Sequence, residues 1–126
     1  METPPDIAMI SIELMDIVFR LAMPEGSTKD HPITNPMGPF APNLQNMNLP
    51  QFLVAIAGHD LMRDMQFEYC EAMNIAGKSV EVFKTENAGH CFHLDTTDTK
   101  VTEKTQELLD AIHSFIKTCC QKEISK

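Results

Sequence analysis

An aspartate and a histidine follow two separate apolar segments of this sequence. Asp60 lies in GHDLMRD, directly after the apolar residues 52–57, and His90 lies in AGHCFHL, 30 positions further along the chain. A carboxylate that contacts an imidazole fixes the tautomer of the ring and stabilises its protonated form, which makes the pair a general base. If Asp60 and His90 meet in the fold, they form the proton-handling part of a catalytic site.

Two segments predict strands, one before each of these residues. Residues 51–57, QFLVAIA, form a continuous apolar run, which is typical of a strand buried on both faces of a parallel sheet. Residues 79–85, SVEVFKT, alternate in character and predict a second strand. Between them, apolar residues recur at helical spacing over 61–76, and Gly77 follows as a C-terminal cap.

This order predicts a βαβ unit. The right-handed crossover through the helix makes the two strands parallel, so their carboxyl ends lie at one edge of the sheet. We therefore expect Asp60 and His90 side by side at that edge, where open α/β sheets place their active sites. Asp60 also occupies the position of an N-cap for the helix that follows, and the same residue can serve both roles.

Two further helices and a long loop complete the predicted α/β fold. Ser11 caps an amphipathic helix over 11–22, and a closing amphipathic helix covers 99–121. The loop over 23–50 is rich in Pro, Gly, Asn and Met, and its prolines exclude both helix and central strand. Ordered loops of this length are functional in many proteins, with a plain surface wrap as the alternative. Its methionines are expected to fill the core, with a substrate pocket as their alternative use.

Composition and charge exclude several classes of partner. The 126 residues fit one domain, and a net charge of −8 without a basic patch argues against nucleic acid and anionic membrane as partners. No apolar stretch has the roughly 18 to 20 residues of a spanning helix. The N-terminus lacks the basic and apolar regions of a signal peptide. We therefore expect a cytoplasmic location.

Nothing in the sequence signals a metal or a cofactor. The four cysteines form no CxxC pair, which argues against zinc and against a disulfide framework. A metal site from His59, Asp60, His90 and His93 is disfavoured because the spacing matches no metal motif. Cys91 is interpreted as a packing residue rather than as a thiol nucleophile.

Three motifs, taken in order, resemble a known family. AMPEGSTKDHPITNPMGP, VAIAGHDLMRD and GHCFHL are similar to the C-terminal part of plant carboxylesterases, in the α/β-hydrolase fold-3 family that also contains gibberellin receptors and hydroxyisoflavanone dehydratases. The resemblance runs from about Ser11 to Cys119. It implies that Asp60 is the acid and His90 the base of a triad in the chain order Ser, Asp, His. It also implies a small-molecule carboxylic ester as the substrate.

The nucleophile of that family has no counterpart in this sequence. Neither an HGG-type oxyanion loop nor a GxSxG nucleophile elbow occurs, and the serines before Asp60, which are Ser11 and Ser27, belong to a helix cap and to the loop. We therefore expect residues 1–126 to be a partial, truncated hydrolase domain whose upstream half is absent. Acyl transfer needs an activated serine and oxyanion donors, so the chain alone is expected to have no useful esterase activity.

Other functions stay open. They are a non-catalytic binding or interaction fragment, a receptor-like member and a dehydratase-like member of the family. His90 favours the hydrolase branch, because the receptors resemble hydrolases that have lost the triad base. The residues that distinguish dehydratases lie in the absent half. The strand at 51–57 would also lack a neighbour on one side, so self-association through this sheet edge is expected.

Overall fold

A computed structural model describes residues 10–124, which form a small α/β unit. In chain order the elements are helix α1 (Ile12–Ala22), a 3-10 turn (Leu44–Asn46), strand β1 (Phe52–Ala57), helix α2 (Arg63–Ile75), strand β2 (Val80–Thr85), a second 3-10 turn (Phe92–Leu94) and helix α3 (Thr99–Ile124). Every predicted helix and strand is present, and the ends differ from the predictions by at most three residues. The predicted domain 1–126 extends beyond the described residues at both ends.

β1 and β2 form a two-stranded parallel sheet in the described part of the chain, as predicted. Phe52 pairs with Val80 at one end and Ala57 with Thr85 at the other. The expectation that β1 is buried on both faces is wrong along most of its length, because Ala55 is exposed and only the last two residues are buried. The cause is the narrow sheet, since two strands offer too little surface to seat covering helices on both faces.

The core is small and lies at the carboxyl end of the sheet. It combines β1, α2, α3 and the loop after β2, and its buried apolar residues are Ile56, Ala57, Cys70, Met73, Ala88 and Leu108. α2 and α3 each pack against both strands, so the elements that carry Asp60 and His90 are held by buried apolar residues.

α1 is capped as predicted but has no buried residue. The Ser11 hydroxyl accepts the N–H of Leu14 at 3.2 Å. Of the apolar positions from which this helix is predicted, only Met15 and Phe19 are half-buried. The pattern therefore predicts the helix correctly but not a packed face.

Gly77 terminates α2 just after its C-cap residue Ala76, as the sequence predicts. Gly77 has a φ of +71°, in the left-handed region where glycine has no Cβ penalty. Its N–H donates to the carbonyl of Asn74 at 3.0 Å, and the N–H of Lys78 donates to that of Met73 at 2.9 Å. This is the Schellman arrangement, which turns the chain from α2 into β2.

α3 is the predicted amphipathic closing helix, extended by three residues. Leu108 is buried, and Val101 and Phe115 are half-buried. The remaining apolar positions of the predicted stripe are exposed, namely Leu109, Ile112 and Ile116. Among the described residues, no helix combines the length and the apolar character that crossing a membrane requires.

The loop over 23–50 is irregular, as predicted, and hydrogen bonds hold it in place. The carbonyl of His31 accepts the N–H groups of Thr34 and Asn35, each at 2.9 Å. Lys78 donates from Nζ to two loop carbonyls, at 3.1 Å to Gln45 and at 2.7 Å to Met47. The loop runs over the surface, so the core-filling expectation is wrong for Met23, Met37 and Met47, none of which is buried.

The buried thiol of Cys70 provides a probe of this core. Burial raises the pKa of the Cys70 thiol, and the thiolate is the form that reacts with alkylating agents. We expect iodoacetamide to label exposed Cys120 at least about 100-fold faster than Cys70 in the native chain, because Cys70 reacts only after local opening. Mass spectrometry of timed digests measures both rates, and 8 M urea provides the control in which they converge. Equal rates in native buffer would contradict the packing described here.

Candidate active site

Asp60 and His90 contact each other where β1 and β2 end. His90 Nδ1 lies 2.8 Å from Asp60 Oδ2. The side chain of Asp60 is 4% exposed and that of His90 is 29% exposed. The juxtaposition predicted from the sequence is therefore present, whereas the catalytic roles of the two residues stay predictions.

A turn after β1 holds the carboxylate of Asp60. Its Oδ1 accepts the N–H of Met62 at 2.9 Å, which is an Asx turn, while Oδ2 faces His90. α2 consequently begins only at Arg63, with Met62 as its N-cap residue. The alternative in which Asp60 is itself the N-cap is therefore wrong, because its side chain closes the turn that precedes the helix.

The loop that carries His90 is bonded directly to the loop that carries Asp60. The N–H of Gly58 donates to the carbonyl of Thr85 at 2.8 Å, and the N–H of His59 donates to that of Ala88 at 2.9 Å. These bonds continue the ladder of the sheet beyond both strands. The backbone thus fixes the separation of Asp60 and His90.

Gly58 is required by this close approach. A Cβ at position 58 would lie 3.2 Å from Glu86 Oε2 and 3.3 Å from the carbonyl oxygen of Thr85. A side chain here would be tighter than ordinary van der Waals contact, so Glu86 and the backbone at Thr85 would have to give by a few tenths of an ångström.

Two left-handed residues bracket His90. Asn87 has a φ of 52° and Cys91 a φ of 55°. Asparagine tolerates this conformation, but for cysteine it costs roughly 1–2 kcal/mol. Lys104 of α3 donates from Nζ to the carbonyl of Asn87 at 2.8 Å. Backbone strain persists where surrounding contacts impose it, and it clusters at functional sites.

The contact fixes how the pair handles protons. A carboxylate only accepts hydrogen bonds, so His90 Nδ1 donates to Asp60. The proton on Nδ1 leaves the lone pair of Nε2 as the basic site of the ring. Within residues 10–124, no hydrogen bond engages Nε2. The arrangement can accept a proton from a hydroxyl placed at Nε2 and stabilise the charged ring that results.

A second carboxylate near this edge is engaged elsewhere. Glu86 Oε1 lies 2.6 Å from Nζ of Lys84. The hydrogen bond from Lys84 is the main cause of the lowered pKa of Glu86, and the charges of Lys84, Arg63 and His59 lower it further. Asp60 is therefore the carboxylate that contacts the imidazole of His90.

The other histidines and cysteines of the region take no part in the contact between Asp60 and His90. His93 is exposed and meets Phe92 edge-on, with ring centroids 6.0 Å apart. Cys91 is half-buried, and His113 is exposed on α3. In the described part of the chain, no three His, Cys, Asp or Glu side chains are grouped as a metal site.

The sequence of this chain matches a known protein family. A family model described as an alpha/beta hydrolase fold matches residues 1–94 of the 126. The chain belongs to this alpha/beta hydrolase family. The resemblance drawn from its three motifs is thereby confirmed.

Plant relatives of this hydrolase-family chain include a receptor and an enzyme. It is 30% identical over 112 residues to a gibberellin receptor of Arabidopsis thaliana, which covers 89% of this chain and 31% of the receptor. It is 37% identical over 89 residues to a 2-hydroxyisoflavanone dehydratase of Glycyrrhiza echinata, which covers 69% of this chain and 26% of the dehydratase. The chain thus spans less than a third of the length of these relatives.

A solved esterase of Pyrobaculum calidifontis has the same fold. The two structures superpose with a TM-score of 0.67 over 89% of this chain and 34% of the esterase, at 22% sequence identity. At this identity the likeness concerns the fold alone. The predicted fold class, an α/β-hydrolase fold with parallel strands and flanking helices, is confirmed.

Two open grooves of this hydrolase-family chain lie away from the pair. One, of about 430 Å³, lies between the loop and the end of α2, where Met37 and Ile75 line it. The other, of about 400 Å³, is formed within the loop beside His31 and Phe40. Neither is lined by Asp60 or His90, so Met37 lines a groove that is separate from the pair.

Sequence reasoning identifies the pair but misses the residues that hold it. The contact of Lys104 with Asn87 joins positions 17 apart, and no local pattern predicts it. Gly58 is recognisable as the end of a strand, whereas its close approach to Thr85 is not. A signal did exist for Asn87, since asparagine in a short polar segment is typical of a left-handed turn residue.

Proposed function

We propose that this chain supplies the acid and the base of a carboxylesterase-type serine hydrolase. Asp60 orients His90, and His90 accepts the proton of a serine that attacks a small-molecule carboxylic ester. The observation that carries the proposal is the 2.8 Å contact between two side chains that follow neighbouring parallel strands of an α/β-hydrolase fold. No GxSxG or HGG motif lies in the 126 residues, so we propose that the chain alone has no useful esterase activity.

The surroundings of the pair suit this role. The Asp60 carboxylate is almost completely shielded from water, so its attraction for a protonated ring is little screened by salt. The N–H of Met62 holds the carboxylate in place while the ring changes charge. The partial exposure of His90 leaves room for a hydroxyl to approach Nε2.

The two strands of the sheet differ in charge, and this difference supports self-association through one edge of the sheet. β2 carries Glu81 and Lys84, and charged side chains protect an edge strand from pairing with another chain. β1, FLVAIA, carries no charge. We therefore propose that self-association through the sheet uses the free edge of β1. We also propose a cytoplasmic location.

A ligand-binding or dehydratase role is the second candidate. Identities of 30% to a gibberellin receptor and of 37% to a 2-hydroxyisoflavanone dehydratase favour it. Binding a small molecule needs no serine nucleophile. The intact pair of Asp60 and His90 supports the hydrolase proposal over a binding role, because a purely binding site has no need of an oriented base.

Nuclear magnetic resonance of the histidine-labelled chain tests the orientation of His90. At a pH where the ring is neutral, we expect the Nδ1–H tautomer with a slowly exchanging, downfield Nδ1 proton, since Asp60 accepts that proton. Asp60→Asn should make the Nδ1 proton of His90 exchange rapidly and should allow the Nε2–H tautomer. Asp64→Asn, at an exposed position four residues along, is the matched control and should leave the signal unchanged. An Nε2–H tautomer in the unaltered chain would contradict the proposal.

A further inference from the structure

Helix α1 presents a second apolar stripe, distinct from its half-buried side. Its members recur at i, i+3, i+4 and i+7 and are between 42% and 82% exposed; they are Leu14, Ile17, Val18 and Leu21. No residue of α1 is buried. Apolar side chains that line up along one face of a surface helix mark an interaction surface rather than scattered exposure.

The charges beside this stripe are arranged to complement a second copy. Glu13 and Arg20 stand seven residues apart, so they lie on the same flank of the stripe, one near each end of α1. Asp16 is paired with Lys29 at 2.9 Å, and the charge of Arg20, one helical turn along, also acts on this carboxylate. Among the described residues, no hydrogen bond or ion pair engages the Arg20 side chain.

Reversal of one helix against another brings opposite charges together. Two α1 helices can pack antiparallel about a two-fold axis near Ile17. The side of α1 that carries Glu13 and Arg20 then faces the same side of the second copy, with the order of its residues reversed. Glu13 of one copy then lies beside Arg20 of the second copy, and the contact occurs twice. This is how charges beside an apolar helix seam select partner and orientation.

We propose that α1 is a self-association surface on which two copies of this chain pair antiparallel through the stripe. The surface is separate from the free edge of β1 and does not depend on catalysis. One short helix pair buries less than the roughly 800 Å² per partner of a standard interface. The dimer is therefore weak, and the fraction of chains in the dimer rises with protein concentration.

Sedimentation velocity over a range of concentrations tests the proposal, with the full chain carrying Ala55→Lys so that pairing through the edge of β1 is blocked. Glu13→Arg and Arg20→Glu each create two like-charge contacts, so each variant alone should weaken the dimer about tenfold. An equal mixture of the two variants should restore it, because every contact between them is again between opposite charges. Weakening by each variant alone together with recovery on mixing identifies the antiparallel pairing, because a parallel pair would already hold like-charge contacts in the unaltered chain. Circular dichroism checks that each variant keeps its helix content.

Three more variants separate this surface from the alternatives. Leu21→Gln should abolish the dimer, whereas Ile75→Gln, at a similarly exposed apolar position on α2, should leave it intact. Ala55→Lys places a charge on β1 and should also leave it intact. In the unaltered chain, the amide signals of α1 should broaden as concentration rises.

Several outcomes would overturn the proposal. One is a monomer at every concentration, and another is a dimer whose dissociation constant is unchanged by Arg20→Glu. Loss of the dimer in Ala55→Lys would assign the contact to the sheet edge. If Leu21→Gln impaired only the capture of the upstream part of a related esterase, that chain and not a second copy would be the occupant of the stripe.

Discussion

Hydrolysis of a short-chain nitrophenyl ester is expected when this chain is combined with the upstream part of a related esterase, and His90→Ala should then lower kcat about a millionfold. Removal of the base leaves a serine without a proton acceptor, and in serine hydrolases this loss is of that size. Asp60→Asn keeps the shape but favours the wrong tautomer of His90, so we expect a loss of about ten thousandfold. Initial rates with purified components measure both effects.

Controls make this result specific. His113→Gln alters an exposed histidine on α3 and should leave the rate unchanged. Hydrolysis by the chain alone, well above the rate of His90→Ala, would show that the proposed inactivity is wrong. An active complex that is indifferent to His90→Ala would remove this residue from the mechanism. A complex that binds ligand or dehydrates a hydroxyisoflavanone but cleaves no ester would favour the second candidate.

Met73→Ala is expected to unfold the chain at room temperature. Met73 is fully buried on α2, and truncation of a buried Met or Ile to Ala costs about 2–5 kcal/mol. Six buried apolar residues form the core of the described part, and a core of this size supplies only about 3–5 kcal/mol of net stability. Ile56→Ala, in β1, should have the same effect.

Urea unfolding followed by circular dichroism measures this change. Ile75→Ala, two positions along α2 but exposed, should change the free energy of unfolding by less than about 0.5 kcal/mol. Ile56→Val should cost about 0.5–1.5 kcal/mol and leave a folded chain. A cooperative transition of unaltered midpoint in Met73→Ala would show that the stability arises outside the core described here.

The strand–helix–strand order and the meeting of Asp60 with His90 could be predicted because each depends on local signals. A continuous apolar run, a helical repeat and a capping glycine specify the three elements, and the handedness of the crossover then brings both strand ends to one edge. The capping of α1 by Ser11 is equally local. Local chemistry therefore determines where the pair lies.

Burial was harder to predict because it depends on what packs against each element. The helical repeat of α1 is real, but its partner surface is not specified by periodicity. The Asx turn of Asp60 delays the start of α2 by two residues. Within α2, Met65 is exposed and Cys70 is buried, because the tertiary contacts of the helix decide which side is covered. The exposure of Ala55 could not be predicted, because the composition of a strand does not reveal how much of the sheet is covered.

The hydrogen bonds that continue from β1 and β2 into the two loops have an evolutionary consequence. They make the relative position of Asp60 and His90 a property of one contiguous stretch, roughly residues 50–95. A recombination event that exchanged this stretch between paralogous genes would transfer both side chains in the same register. The contact between the two side chains can thus be inherited as a single segment.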